Sequence, residues 1–114
     1  MPIITLTSDY GPERFYAGIL RGALATLAPE ATVVDLSHDV RKFSSVDAAL
    51  LLNSCVKHFP KGTVHIVAVM SEATVEHPHR IVRIEDQYFI GSDTGVFDLI
   101  FGKQPDAVYD LSNM

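Results

Sequence analysis

Thr5-Leu6-Thr7-Ser8-Asp9-Tyr10-Gly11-Pro12 is the stretch on which the fold turns. An apolar, β-branched run ends in an acid, an aromatic ring and a glycine, and a long amphipathic pattern follows directly. A strand that closes on a polar tip and leads into a helix opens a β-α-β unit. Asp9 then stands at the C-terminal end of the first strand, where open α/β sheets bind ligands. A carboxylate there can accept hydrogen bonds from two neighbouring hydroxyls, as on a ribose. Asp also closes Asx turns and caps helices, so the local pattern leaves both roles open.

Outward from this stretch, residues 2–7 predict a strand buried on both faces. Pro12-Glu13 predicts a helix start, with proline in the first turn and an acid at the positive end of the dipole. Tyr16, Ile19, Leu20, Ala23, Leu24 and Leu27 follow the helical period, and Pro29 ends it. Residues 32–36 predict a second strand with a polar end, Ser37-His38-Asp39. Ser44 or Ser45 caps a second helix, and Asp47 stands near a capping-box position. Val46, Ala49, Leu50, Asn53 and Val56 are its expected inner stripe, and Phe59-Pro60-Lys61-Gly62 stops it. Residues 63–70 form a third, nearly continuous apolar strand.

This β-α-β-α-β order predicts an α/β fold, a Rossmann-like, mostly parallel sheet flanked by helices. Beyond it, residues 71–78 read as a loop. Residues 80–85 and 87–91 read as a hairpin turning at Glu85-Asp86, residues 96–101 as a short helix or alternatively a strand, and residues 107–111 as a last strand. Asp93-Thr94-Gly95 reads as a turn.

The 114 residues fit one small domain, and 47% hydrophobic content supplies a core. The net charge of -5 and the lack of a basic run argue against nucleic acid and suit a cationic small ligand. Cys55 is the lone cysteine, expected as a buried helix residue rather than a nucleophile, and a reducing cytoplasm is the default. Met1-Pro2-Ile3 lacks signal-peptide features, and no apolar run reaches the ~18 residues of a membrane helix.

Three segments are expected at strand C-terminal ends on one edge: Ser8-Asp9-Tyr10-Gly11, Ser37-His38-Asp39 and Met70-Ser71-Glu72-Ala73-Thr74. The entry loop has one glycine rather than Gly-x-Gly-x-x-Gly, and no P-loop is present, so the ligand is expected to lack a pyrophosphate. His38 fits a base, a ligand or a local backbone partner. His58 reads as a surface residue and His65 as a strand residue. His77 and His79 flank Pro78 without a third metal-ligand partner, so no metal is expected. Glu72 is a carboxylate in an otherwise uncharged strand-end loop.

The chain resembles the N-terminal domain of the S-adenosylmethionine hydroxide adenosyltransferase family, relatives of the fluorinase and chlorinase enzymes. The matching stretches run in order: Ile3-Ile4-Thr5-Leu6-Thr7-Ser8-Asp9-Tyr10-Gly11, Tyr16-Ala17-Gly18 with Arg21-Gly22, Ala28-Pro29-Glu30-Ala31, and Val34-Asp35-Leu36-Ser37-His38. Ala48-Ala49, Phe59-Pro60-Lys61-Gly62-Thr63-Val64-His65 and Tyr88-Phe89-Ile90-Gly91-Ser92-Asp93-Thr94-Gly95 follow. The resemblance implies S-adenosylmethionine as substrate, with no separate cofactor, and attack of water as hydroxide at the ribose C5′, giving adenosine and methionine. It places Asp9 on the ribose hydroxyls, with Tyr10, Met70 and Thr74 as further substrate-binding positions.

The family's segment after the third strand, Asp-Pro-Gly-Val-Gly-Thr followed by an arginine, is here Met70-Ser71-Glu72-Ala73-Thr74-Val75-Glu76-His77. The family's water-orienting acid falls on Met70. Its arginine falls on His77, or on Arg80 with an insertion. Glu72, supported by Arg80, is therefore the expected catalytic pair. The resemblance further implies an incomplete N-terminal domain of a two-domain family, residues 1–114, without the family's C-terminal β-barrel. It implies a trimer whose sites form between subunits, and an isolated domain that self-associates. Three other readings remain: a non-catalytic nucleoside-binding or oligomerisation module, a halide-using relative, and a Rossmann-like nucleotide domain with another ligand.

Overall fold

The computed structural model describes residues 2–11, 15–42, 44–69, 79–92, 96–102 and 104–110. The chain runs β1 (Ile3–Ser8), α1 (Phe15–Leu27), β2 (Thr32–Ser37), α2 (Ser45–Cys55), a 3-10 turn (Val56–His58), β3 (Val64–Ala68), β4 (His79–Ile84), β5 (Gln87–Ser92), α3 (Val96–Phe101) and β6 (Ala107–Asp110). The strands form one six-stranded sheet in the order β2-β1-β3-β5-β4-β6. Pairings β1–β2, β1–β3 and β3–β5 are parallel, and β4 pairs antiparallel with β5 and β6. The fold is thus α/β, with a mostly parallel sheet flanked by helices.

Strand β1 lies between β2 and β3, so the chain leaves it toward one neighbour and later returns on its other side. Right-handed crossovers then put α1 and α2 on opposite faces. Thr5, His65, Phe89 and Val82 occupy matching register positions on one face. There they meet Ala48, Ala49, Leu52 and Val56, with Val96, Phe97 and Ile100 of α3, in the main core. Val33 and Asp35 pair with Ile4 and Leu6 on the other face, and α1 sits over them.

The two faces are not equally covered. Along β3, β4 and β5, fully buried residues largely alternate with half-buried ones such as Val64, Ile66, Ile81 and Ile90. The expected burial on both faces therefore holds only in part among the described residues. Ala17 is the sole fully buried residue of α1, with Leu20 and Leu24 half-buried, while Tyr16, Ile19 and Leu27 of the expected stripe are exposed.

Helix α2 departs from expectation in phase. Ala48, Ala49, Leu52 and the following Val56 are buried, whereas Val46 and Leu50 are 60% and 64% exposed. Small alanines let the helix approach the sheet and α3 closely, and Asn53 Nδ2 donates to Ile100 O at 2.5 Å to tie the two helices. The cap stands as read: Ser44 Oγ accepts from the Asp47 N–H at 3.1 Å. Asp47 instead accepts from the Arg41 N–H, so only half of a capping box forms.

The hairpin turns at Glu85-Asp86, both with positive φ, the pattern of a two-residue type I′ turn. Cys55 ends α2 half-buried rather than buried. His79 is the first residue of β4 rather than a loop residue, while Asp93-Thr94-Gly95 lies outside the described residues.

Candidate functional site at the tip of strand β1

The β1 tip is a switch point, because its neighbours β2 and β3 are reached by crossovers on opposite faces, and this opens a crevice at the strand ends. Backbone bonds fix the tip on both sides. Asp9 N–H donates to Ala68 O of β3 at 3.4 Å, Gly11 N–H to His38 O at 2.8 Å, and Val40 N–H to Ser8 O at 3.3 Å. Gly11 has φ +62°, a conformation that costs glycine least and turns the chain from the strand. Asp9 is 8% exposed, and Ser8 1%.

His38 follows β2 directly and reaches across to β1. Its Nδ1 lies 2.5 Å from Ser8 Oγ, and its Nε2 lies 2.9 Å from Asp35 Oδ1. The other Asp35 oxygen takes a 2.8 Å bond from Arg21 Nη1 of α1. The carboxylate can only accept, so Nε2 carries a proton toward Asp35, and Nδ1 and the Ser8 hydroxyl share the other bond. With both ring nitrogens engaged, His38 ties the end of β2 to the β1 tip.

The Tyr10 ring lies parallel to the His38 ring, with centroids 6.3 Å apart, and tilts against Tyr16 at 5.7 Å. Burial raises the Tyr10 hydroxyl pKa, and the neighbouring Asp9 carboxylate raises it further. Tyr10 therefore stays a neutral donor at physiological pH.

Arg80 is the other expected site residue within the described set. It opposes Gly91 at the C-terminal end of β5, so it shares the sheet edge with Asp9. Three strand spacings separate β1 from β4, about 14 Å at about 4.8 Å each. Arg80 thus stands well to one side of Asp9. Met70, Glu72 and Thr74 lie outside the described residues, as does His77. Among the described residues no three His, Cys, Asp or Glu side chains gather in a metal-binding group.

Sequence reasoning missed the Arg21–Asp35–His38–Ser8 chain. Its one local signal is the Asp35-x-x-His38 spacing; the link to Ser8 joins residues 30 apart. It also missed a second buried network. His65, on β3 and fully buried, has Nδ1 2.6 Å from Thr5 Oγ1 and Nε2 2.5 Å from Gln87 Oε1.

The family described as the SAM hydroxide adenosyltransferase N-terminal domain matches residues 4–114. The (R)-S-adenosyl-L-methionine hydrolase of Methanocaldococcus jannaschii is 28% identical over 110 residues, covering 90% of this chain and 41% of that protein. The protein of the same name from Thermus thermophilus is 29% identical over 98 residues, covering 86% of this chain and 38% of its own length. The chain thus spans about two-fifths of these curated relatives. A solved structure of a conserved hypothetical protein from Thermus thermophilus matches with TM-score 0.83 and 26% identity, over 97% of this chain and 47% of the other. An uncharacterized conserved protein from Thermotoga maritima also gives TM-score 0.83, over 97% of this chain and 42% of the other; its 23% identity makes that a likeness of fold alone. The ordered motifs and the nearly full-length family match agree: the chain belongs to the S-adenosylmethionine hydroxide adenosyltransferase family, within its N-terminal domain.

Proposed function

We propose that this chain is the nucleoside-binding part of an S-adenosylmethionine hydrolase-type enzyme. The observation that carries the reading is Asp9, nearly buried at the switch point, with its own N–H bonded to the end of β3 and its neighbours Ser8 and Gly11 bonded to the segment after β2. Its carboxylate accepts from the two ribose hydroxyls, each a charge-assisted bond. Tyr10 borders the same carboxylate as a neutral neighbour. The net charge of -5 favours a sulfonium ligand over a polyphosphate.

In the reaction, water attacks C5′ as the C5′–S bond breaks, and the bonding pair leaves on the sulfur of methionine. The water's proton passes to a nearby base, a role proposed for Glu72 with Arg80 in support. Binding the ribose rigidly holds C5′ in line for attack, and much of the rate comes from such positioning. Water is proposed as the nucleophile rather than halide. The full assembly is proposed as a homo-oligomer, a trimer as in the family, in which further protein completes the site; the cytoplasm is the proposed compartment. No helix among the described residues is long and apolar enough to cross a membrane.

A second reading, binding without turnover, is favoured by Met70 at the position where the family carries its water-orienting acid. Calorimetry with adenosine and S-adenosylmethionine, followed by chromatography for released adenosine, separates the two. Asp9→Asn keeps the size of the side chain but removes its charge. It should weaken adenosine binding by about 10–100-fold, since hydrogen bonds to a charged group contribute about 1.5–3 kcal/mol. Equal affinity in the variant would remove Asp9 from the ribose.

A further inference from the structure

We propose that His38 is a positioning residue for Asp9, the end of a relay that runs from α1 through β2 to the β1 tip. The proposal rests on the reading of Asp9 as the ribose ligand. Four side chains from three segments form one connected series of hydrogen bonds. Arg21 and the His38 Nε2–H converge on Asp35, and His38 Nδ1 is bonded to the Ser8 hydroxyl. Ser8 Oγ lies in turn 3.4 Å from the Tyr10 N–H, which can donate to it.

That last contact places the relay around Asp9. Residues 8 and 10 on either side of it meet at one hydroxyl, and the hydroxyl is oriented by the imidazole. His38 also holds Gly11 through its own carbonyl and lies parallel to the Tyr10 ring. The backbone of Asp9 is thus bracketed by one histidine in three ways. An exposed pair such as Arg21–Asp35 contributes little stability by itself. Here it orients a carboxylate that fixes a tautomer, as carboxylates do for metal-bound histidines.

The test compares wild type, Ser8→Ala, His38→Ala, His38→Asn and Asp35→Ala, each checked for folding by urea denaturation. In His38→Asn, the amide oxygen takes the place of Nδ1 and can accept from Ser8. The first readout uses the ligand-free chain. Amide hydrogen exchange at Tyr10 and Gly11 should speed up in Ser8→Ala and His38→Ala, with β3 amides unchanged, and return toward wild type in His38→Asn. Histidine ring 15N shifts should report a proton on His38 Nε2. The second readout is calorimetric adenosine affinity. His38→Ala should lose about tenfold, the scale of one buried hydrogen bond, and Asp35→Ala about threefold, the scale of an exposed pair.

Unchanged exchange in His38→Ala would overturn the relay. Faster exchange with unchanged affinity would overturn its link to Asp9. Wild-type protein that binds neither adenosine nor S-adenosylmethionine would sink the nucleoside reading and the ribose part of the proposal. The exchange measurements would still decide whether His38 orders the loop.

Discussion

Replacing Gln87 by Met tests the buried polar network with little change in volume. Gln87 Oε1 faces His65 Nε2 at 2.5 Å, while its amide nitrogen donates to Val56 O at 2.8 Å and Phe59 O at 3.0 Å. Two donations to carbonyls settle the amide orientation, so Oε1 accepts and His65 carries its proton on Nε2. Thr5 then donates its hydroxyl to Nδ1, and every polar atom of the neutral ring is matched. Methionine would leave the His65 N–H unpaired in the interior and Phe59 O partly so, while Val56 O keeps its bond from the Phe59 N–H. A buried unmatched group costs about 1–3 kcal/mol. One such group gives a loss of about 2 kcal/mol, against a typical total of about 5–15 kcal/mol.

With a urea slope near 1.5 kcal/mol/M, the midpoint should fall by about 1.3 M. Equilibrium denaturation followed by circular dichroism at pH 7.5 reads this directly. A shift below about 0.7 M, or roughly 1 kcal/mol at that slope, would mean that the His65 N–H finds another partner. The same network sets a pH dependence. Burial lowers the His65 pKa, and the bond to Gln87 only partly opposes this. The unfolded chain therefore takes up the proton first as pH falls below about 6.5, and stability declines by at most about 1.4 kcal/mol per pH unit until the folded value is reached. Above that range the contribution is fully present. By NMR, the His65 ring should stay neutral below pH 6.5; titration at the ordinary value would refute the burial argument.

Gly91→Ala should destabilise the fold by about 1–3 kcal/mol, as overpacking does. An added Cβ would meet Val67 O, a backbone atom that cannot rotate away; an unchanged melting temperature would contradict this contact. Glu85→Asn with Asp86→Gly should raise stability by about 1 kcal/mol, because both positions have positive φ and the Asn-Gly pair suits them better. A lower urea midpoint in that double variant would speak against the type I′ turn. Finally, Phe15, Ile19 and Leu27 of α1 are 63%, 63% and 82% exposed, so the chain should self-associate at micromolar concentration. Sedimentation should show Ile19→Glu shifting it toward monomer, and a monomeric wild type would refute the claim.

How far the fold could be read depended on whether its signal was local. Strand β1, its polar tip, the Ser44 cap and the Glu85-Asp86 turn rest on residues within a few positions of one another. The phase of α2 was hidden because the helix is apolar almost all round: Val46, Ala48, Ala49, Leu50, Leu51 and Leu52 all qualify for an inner stripe. Tertiary contact with β3, β5 and α3 chose the small and central residues instead. For α1, periodicity located the helix but could not show how little of its apolar surface this chain covers.

The site divides along the same line. Asp9 was legible because an acid at a strand tip is a feature of adjacent residues. Its supporting structure was not, because Ser8, Arg21, Asp35 and His38 come from three segments and meet only when β1 and β2 pair. His38 and His65 make the contrast concrete. Both follow or occupy apolar strands, and both rings have a hydroxyl at Nδ1 and an acceptor at Nε2. One network is sealed in the core and sets stability. The other ends in an exposed ion pair and ties β2 to the β1 tip. The difference lies in what each histidine holds: His65 joins β1, β3 and β5, whereas His38 joins β2 to the single turn that carries Asp9. Loss of the first should lower the unfolding midpoint, while loss of the second should move ligand affinity with little effect on that midpoint.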